Sequence, residues 1–290
     1  MSNSNERKLQ ISNGNYLDFD QLSRILNSIS TLSKKDIKFS NLEEETGLPY
    51  RQLRNRAAIA RAMGILNEKS LILTAFGKLI VEHDLFFENI GTLEYCHYLA
   101  SGNYNNLVWF DVFNELLPGN SPTEYQGWMN FFMQKYAEIY SESSIKEHLA
   151  KEVRFTIEAY LKNRFRKLEL LIETSAGLLQ SRRHADINPV LFAAMIYKYM
   201  RAKSISLVQV EELITGPGTP GLLFGMDEAT IRTLLELLHE QNFIRLEMRH
   251  GLDQLRIREE YSDEDFLRAF YNGETSVLPQ KARLEEGLLL

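Results

Sequence analysis

Gly47 and Pro49, two residues apart, constrain the fold of this chain more than any other feature. The run Ser40-Asn-Leu-Glu-Glu-Glu-Thr ahead of them reads as a short acidic helix. Glycine suits the left-handed cap that ends such a helix because it has no Cβ. Proline lacks a backbone N–H and prevents the helix from continuing, so Tyr50-Arg-Gln-Leu-Arg-Asn-Arg-Ala-Ala-Ile-Ala-Arg-Ala-Met reads as a separate second helix. Two helices joined by so short a turn form a helix-turn-helix. The second carries Arg51, Arg54, Arg56 and Arg61 with no acid among them, on a chain of net charge −6. These arginines, with Gln52 and Asn55, are residue types that reach phosphates or base edges, and such a helix is the element that enters a major groove.

The surrounding sequence extends this unit. Residues 1–18 are assigned to a flexible N-terminus, polar and frayed through residue 14. Leu22, Ile25, Leu26, Ile29 and Leu32 recur at helical spacing and predict an amphipathic helix from Phe19 to Leu32. After the arginine-rich helix, residues 64–74 read as a short hairpin turning at Asn67-Glu68-Lys69, and Lys69 joins the candidate DNA contacts. Thr74 then caps a helix that runs to Glu82. Three helices followed by a hairpin are the layout of a winged helix, assigned to residues 19–85.

Residues 86–186 read as a helical middle region. A stretch rich in Leu, Tyr, Trp and Phe precedes a break at Gly119-Asn-Ser-Pro, and a long helical run is expected from Thr123 to Leu179, interrupted near residues 141–144. Its Trp128, Phe131, Phe132, Tyr136 and Tyr140 share one side at helical spacing, the pattern of core packing. Residues 187–262 then repeat the early order. An apolar helix over 189–202 is followed by a short one over 206–214, and the glycine- and proline-rich run 216–225 reads as an irregular loop. A helix opens at Asp227, and Phe243–Arg249 and Gln254–Arg258 alternate apolar with charged residues around a turn at His250-Gly251. This is a second winged helix, with residues 263–290 as a C-terminal tail. The expected fold is therefore mainly α, with two winged-helix units joined by a helical middle region.

Charge separates the two candidate reading helices. The one opening at Asp227 holds Asp227, Glu228, Glu236 and Glu240 against Arg232 alone and would be repelled by a phosphate backbone. The C-terminal unit is thus assigned to packing, dimerisation or partner contact, with wing residues Arg245, Arg249, Arg256 and Arg258 as secondary phosphate contacts. Arg164, Arg166 and Lys167 form another basic stretch that either extends a nucleic-acid surface or is a solvated helix face.

Other chemistries find little support. A net charge of −6 argues against a protein that coats nucleic acid over its whole surface. One cysteine, Cys96, allows no intramolecular disulfide and no cysteine-based zinc site, consistent with a reducing cytosol. The chain has no phosphate-binding Gly-x-x-x-x-Gly-Lys-Ser/Thr loop, no His-Glu-x-x-His pair and no Gly-x-Ser-x-Gly elbow. No catalytic residue, metal or cofactor is therefore assigned. Without an apolar leader or a long apolar run, the expectation is a cytoplasmic protein with no membrane segment.

Several runs resemble the prokaryotic domain-of-unknown-function family 4007. They are Leu73-Thr-Ala-Phe-Gly-Lys-Leu-Ile, Asn89-Ile-Gly-Thr-Leu-Glu-Tyr-Cys-His-Tyr-Leu-Ala-Ser, Trp109-Phe-Asp-Val-Phe-Asn-Glu-Leu, Gly218-Thr-Pro-Gly-Leu-Leu-Phe-Gly-Met-Asp-Glu and Gly251-Leu-Asp-Gln-Leu-Arg. The chain departs from that family where Ile11-Ser-Asn-Gly-Asn-Tyr-Leu stands in place of a Gly-His-Glu-Thr-Phe-type segment. Family members are often encoded beside DNA phosphorothioation enzymes and other phage-defence genes. The resemblance implies a DNA-binding accessory role in DNA modification or restriction, with duplex DNA and other proteins of such a complex as partners, and it transfers no catalytic residues. A winged-helix transcriptional regulator acting as a homodimer, and an adaptor that contacts only proteins, are the competing expectations.

Overall fold

The computed structural model describes residues 7–119, 121–247 and 253–273. Helices dominate, and the chain divides into two compact units between Arg183 and His184.

The first unit opens with α1 (Phe19–Thr31), α2 (Phe39–Thr46) and α3 (Tyr50–Ala62). Gly47 takes φ +67° and closes α2, as its lack of a Cβ permits. The segment after α3 forms a narrow hairpin with a single bridge, Leu66 to Leu73, in place of extended strands. Thr74 caps α4 (Ala75–His83) by accepting from the Gly77 amide at 3.0 Å. Next come α5 (Ile90–Gly102) and α6 (Leu107–Asp111), the latter continuing as a π-helical turn over Val112–Leu116. Then follow α7 (Tyr125–Tyr136), the short α8 (Glu142–Ser144) with a π-turn Ile145–Leu149, and α9 (Ala150–Leu161). Trp128, Phe132 and Tyr136 of α7 are buried as their spacing predicts, while Phe131 and Tyr140 are half-buried.

The long helical run expected to Leu179 stops early. A 3₁₀ turn over Arg164–Leu168 ends at Glu169, and β1 (Leu171–Glu173) pairs antiparallel with β2 (Leu179–Ser181). Leu171-Ile-Glu and Leu179-Gln-Ser are too short to carry a periodicity that separates strand from helix, which accounts for the difference. A shared aromatic core joins α1, α6, α9 and the 3₁₀ turn. The Phe19 ring lies 5.0 Å from Phe87 and 5.5 Å from Phe165, Phe165 stacks on Tyr160, and Trp109 packs 5.8 Å from Phe155. Each such ring contributes on the order of 2 kcal/mol by leaving water. Cys96 of α5 is fully buried, and burial pushes its thiol well above the usual range.

The expectation of a frayed N-terminus fails over residues 7–18. Asn13 (φ +50°) and Gly14 (φ +77°) are both left-handed, and the Asn15 amide donates to the Ser12 carbonyl at 3.1 Å, closing a tight turn. Long-range contacts hold this segment down: Arg7 pairs with the fully buried Asp111 at 2.7 Å, and the Lys8 amide donates to the Asn105 carbonyl at 2.9 Å. Residues 1–6 lie outside the described residues.

The second unit contains α10 (Pro189–Ala202), β3 (Leu207–Gln209), α11 (Val210–Thr215), α12 (Pro220–Leu223), α13 (Glu228–Glu240), β4 (Ile244–Glu247), β5 (Gln254–Ile257) and α14 (Asp263–Tyr271). Its antiparallel sheet has the order β3-β5-β4. The 206–214 segment is thus a strand running into a helix. The 216–225 run, expected to be irregular, holds α12. Pro220 opens that helix at its first position, and Gly221 lies so close to α11 that a Cβ would sit 2.3 Å from the Leu213 carbonyl oxygen. From residue 263 the assigned tail is also helix, nucleated by a Ser262/Asp265 capping box and packed on α10 through Phe266, 4.8 Å from Tyr197. The turn at His250-Gly251 and residues 274–290 lie outside the described residues.

Candidate nucleic-acid interface

Successive residues of an α-helix point about 100° apart, so Arg54 and Arg56 face nearly opposite ways. The structure divides the predicted contacts along that line. Arg51 and Arg54 are exposed, and the Arg54 guanidinium lies 5.8 Å from the centre of the Tyr50 ring. Tyr50 is 48% exposed and rests edge-on against Phe39 at 5.4 Å. Neither Arg51 nor Arg54 forms an ion pair among the described residues. Gln52 is half-buried, and Lys69 is exposed at the hairpin turn.

The other side of α3 corrects two assignments. Arg56 is 3% exposed. Its Nε donates to Gln21 Oε1 at 3.1 Å, and a terminal nitrogen donates to the Tyr16 carbonyl at 2.6 Å. Burial draws its pKa down from the ordinary value, opposed by the field of Asp18. Asn55 is 4% exposed, and its Oδ1 accepts from Asn13 Nδ2 at 3.0 Å. Neither side chain is presented to a phosphate or a base edge. Arg61 is intermediate: it is half-buried, and its Nε and a terminal nitrogen donate to the Ser70 carbonyl at 3.4 and 3.3 Å, tying α3 to the hairpin.

The first turn of α3 is locally capped. Glu43 Oε1 accepts from the Tyr50 amide at 2.9 Å, so a carboxylate already sits where the helix dipole favours negative charge.

The secondary basic stretch is largely neutralised. Arg164 pairs with Asp20 at 2.8 Å and with Glu88, and Lys167 pairs with the same Glu88 at 2.8 Å. Burial pulls the Arg164 pKa down, but the hydrogen bonds it donates to Glu88 and Asp20 outweigh it and raise the value. Arg166 is exposed and has no ion pair among the described residues. These side chains border a cleft of about 700 Å³ whose opposite wall is Tyr16 to Asp20, so its lining carries both signs of charge.

In the second unit Arg232 is held by Asp253 at 3.0 and 2.6 Å and by Glu228 at 2.7 Å, which raises its pKa above the ordinary value. Beyond Arg232, α13 exposes Thr233, Glu236, Leu237, His239 and Glu240. Of the wing residues, Arg245 and Arg256 are exposed and each lies 3.7 Å from Glu247. Arg258 lies 3.8 Å from Glu260 and donates to Asn242 Oδ1. Arg249 is outside the described residues.

Sequence reasoning missed two polar features. Tyr50 was legible from its i, i+4 spacing to Arg54. Glu152 was not: this buried α9 carboxyl accepts from the Ser12 amide at 3.1 Å and the Ser12 hydroxyl at 2.8 Å, across 140 residues of sequence. Burial pushes it up to about 7 against the lowering effect of the Ser12 and Ile11 hydrogen bonds.

Among the described residues, no three His, Cys, Asp or Glu side chains are grouped to hold a metal, and no helix is long and apolar enough to cross a membrane.

Comparison with known proteins adds two findings. A family model described as "Protein of unknown function (DUF4007)" matches residues 59–271. Two solved structures share the fold, a magnesium ion-bound SspB crystal structure at 15% sequence identity and an SspB crystal structure at 16%. Each aligns with a TM-score of 0.71 over 91% of this chain and 86% of the other. No curated protein matches.

Proposed function

This chain belongs to the DUF4007 family, and we propose that it is a DNA-binding accessory of a DNA modification or defence system, gripping duplex DNA through the outer face of α3. The observation that carries this reading is the stripe formed by Tyr50, Arg51 and Arg54, exposed at the start of the helix after the turn, whose two arginines form no ion pair among the described residues. Lys69 on the adjoining hairpin extends it. The helix order α1, α2, α3 and hairpin supports a winged-helix reading of this region. In the second unit, the order helix, strand, three helices, strand, strand with the sheet β3-β5-β4 supports the same reading. The phosphorothioation setting is what the family resemblance implies, and the fold shared with SspB supports it. The proposed place of action is the cytoplasm, where the DNA is, together with other proteins of the complex.

The acidic outer face of α13 favours a different role for the second unit, contact with a protein partner or a second copy. There Arg232 is already neutralised, and Glu236 and Glu240 would repel phosphate.

A salt-titrated binding assay on random, phosphorothioated and own-promoter duplexes tests the proposal. Binding that falls steeply with salt is expected, because each neutralised phosphate releases counterions. Replacing Arg51 and Arg54 with alanine should weaken binding at least about ten-fold and flatten the logarithmic salt slope by roughly 2. Preference for modified DNA supports the defence role, and preference for the promoter points to a regulator. No binding at low salt leaves the protein-contact reading and ends this one.

A further inference from the structure

Residues 7–17 meet three parts of the first unit in succession. Arg7 is held by Asp111 at the end of α6, and Ser12 is held by Glu152 on α9. Asn13 and Tyr16 then reach α3, through Asn55 Oδ1 at 3.0 Å and the Arg56 guanidinium at 2.6 Å. The turn at Asn13-Gly14 makes this possible. Both residues are left-handed, which sends the Ser12 and Asn13 side chains to different helices. A Cβ at Gly14 would already stand 3.3 Å from the Lys151 side chain, so the segment lies directly on α9.

The attachment points on α3 are the two polar residues of its back face. A helix packed only through apolar contacts can roll about its axis at small cost, because such contacts are non-directional. Hydrogen bonds are directional and lose strength steeply when misaligned. Here two ties act on adjacent residues of one helix and are anchored through Ser12 in the body of the unit.

We propose that residues 7–17 are a positioning strap that sets the roll of α3, with Asn55 and Arg56 as the positioning residues through which it holds the Tyr50, Arg51 and Arg54 stripe outward. This rests on the DNA-binding reading of that stripe and specifies how the interface is kept in register. Arg56 is therefore a strut, and it neutralises no phosphate.

The salt slope separates a strut from a phosphate contact. In the full chain, Asn13→Gly removes the carboxamide but keeps a residue that tolerates the left-handed backbone. It should weaken duplex binding about five-fold, the loss of one hydrogen bond, and leave the salt slope unchanged. Arg56→Met should likewise weaken binding without changing the slope, and Arg56→Lys should not rescue it, because one ammonium cannot reproduce the guanidinium fork. A slope reduced by about 1 in Arg56→Met, or full binding by Arg56→Lys, would make Arg56 a phosphate contact and overturn the proposal. Hydrogen exchange of the free protein gives a readout that needs no DNA. Asn13→Gly should speed exchange of the α3 amides selectively over those of α5, and unchanged α3 exchange also overturns the strap. Absence of DNA binding by the wild type, with accelerated α3 exchange in Asn13→Gly, would instead remove only the DNA reading.

Discussion

Helices α3 and α13 are both thirteen residues long, and each leads into a hairpin, yet their faces are built in opposite ways. The buried face of α13 is wholly apolar, with Ile231, Leu234, Leu235 and Leu238, while its outer face is acidic. The outer face of α3 is basic, and its buried face mixes Leu53, Ala57, Ile59 and Ala60 with Asn55 and Arg56. Charge counted along a helix is therefore a poor guide to charge presented by it. Of the four arginines in α3, Arg51 and Arg54 face water, Arg61 is spent on a carbonyl, and Arg56 braces the helix from behind.

Core truncation gives the largest test of this contrast. Leu238→Ala on α13 and Leu53→Ala on α3 remove side chains that are 0% and 1% exposed, and each should cost about 2–5 kcal/mol in chemical denaturation. If polar ties share the holding of α3, Leu53→Ala falls at the lower end of that range; equal losses would show that α3 is held by packing alone.

The strap supplies the pH dependence. Its anchor Glu152 has a folded pKa near 7, above the ordinary 4.5, so the folded protein keeps a proton that the unfolded chain releases. The contribution of this group is fully present below pH 4.5 and is lost as pH rises through 7. Glu152→Gln should match the wild type near pH 4 and exceed it above pH 7 by an amount on the order of 3 kcal/mol, read as a higher melting temperature. A variant no more stable than wild type at pH 8 would show that the carboxylate is stabilised in place.

Smaller effects separate the two bonded arginines. Arg56→Met leaves the Tyr16 carbonyl and the Gln21 side chain without their donor inside the protein, a loss of about 1–3 kcal/mol. Arg232→Met breaks a partly exposed pair and should cost less than about 1 kcal/mol. Reversal of that order would mean the strap contacts are incidental. Smallest of all, Glu236→Gln with Glu240→Gln on the exposed face of α13 should change stability by no more than about 0.5 kcal/mol.

Local signals were the legible ones. The Gly47 cap, the Pro49 break and the helix starts at Thr74 and Asp227 depend on residues within one turn, and all four form where their chemistry places them. The opposed directions of Arg54 and Arg56 were also legible, since helical spacing alone separates them. What escaped was long-range. Ser12 reads as a polar residue in a polar leader until Glu152 is brought beside it, and the Asn13-Gly14 turn signal has no flanking apolar strands to mark it. The segment near β1 and β2 escaped because three residues are too few for the periods of helix and strand to differ.

The burial of Cys96 has a practical consequence. The chain's one thiol is enclosed and held protonated, so alkylating reagents should pass over the folded protein. A cysteine introduced on the outer surface of α3 would then be the single reactive position. A fluorophore or spin probe could be attached there without first stripping a background sulfhydryl from the native chain.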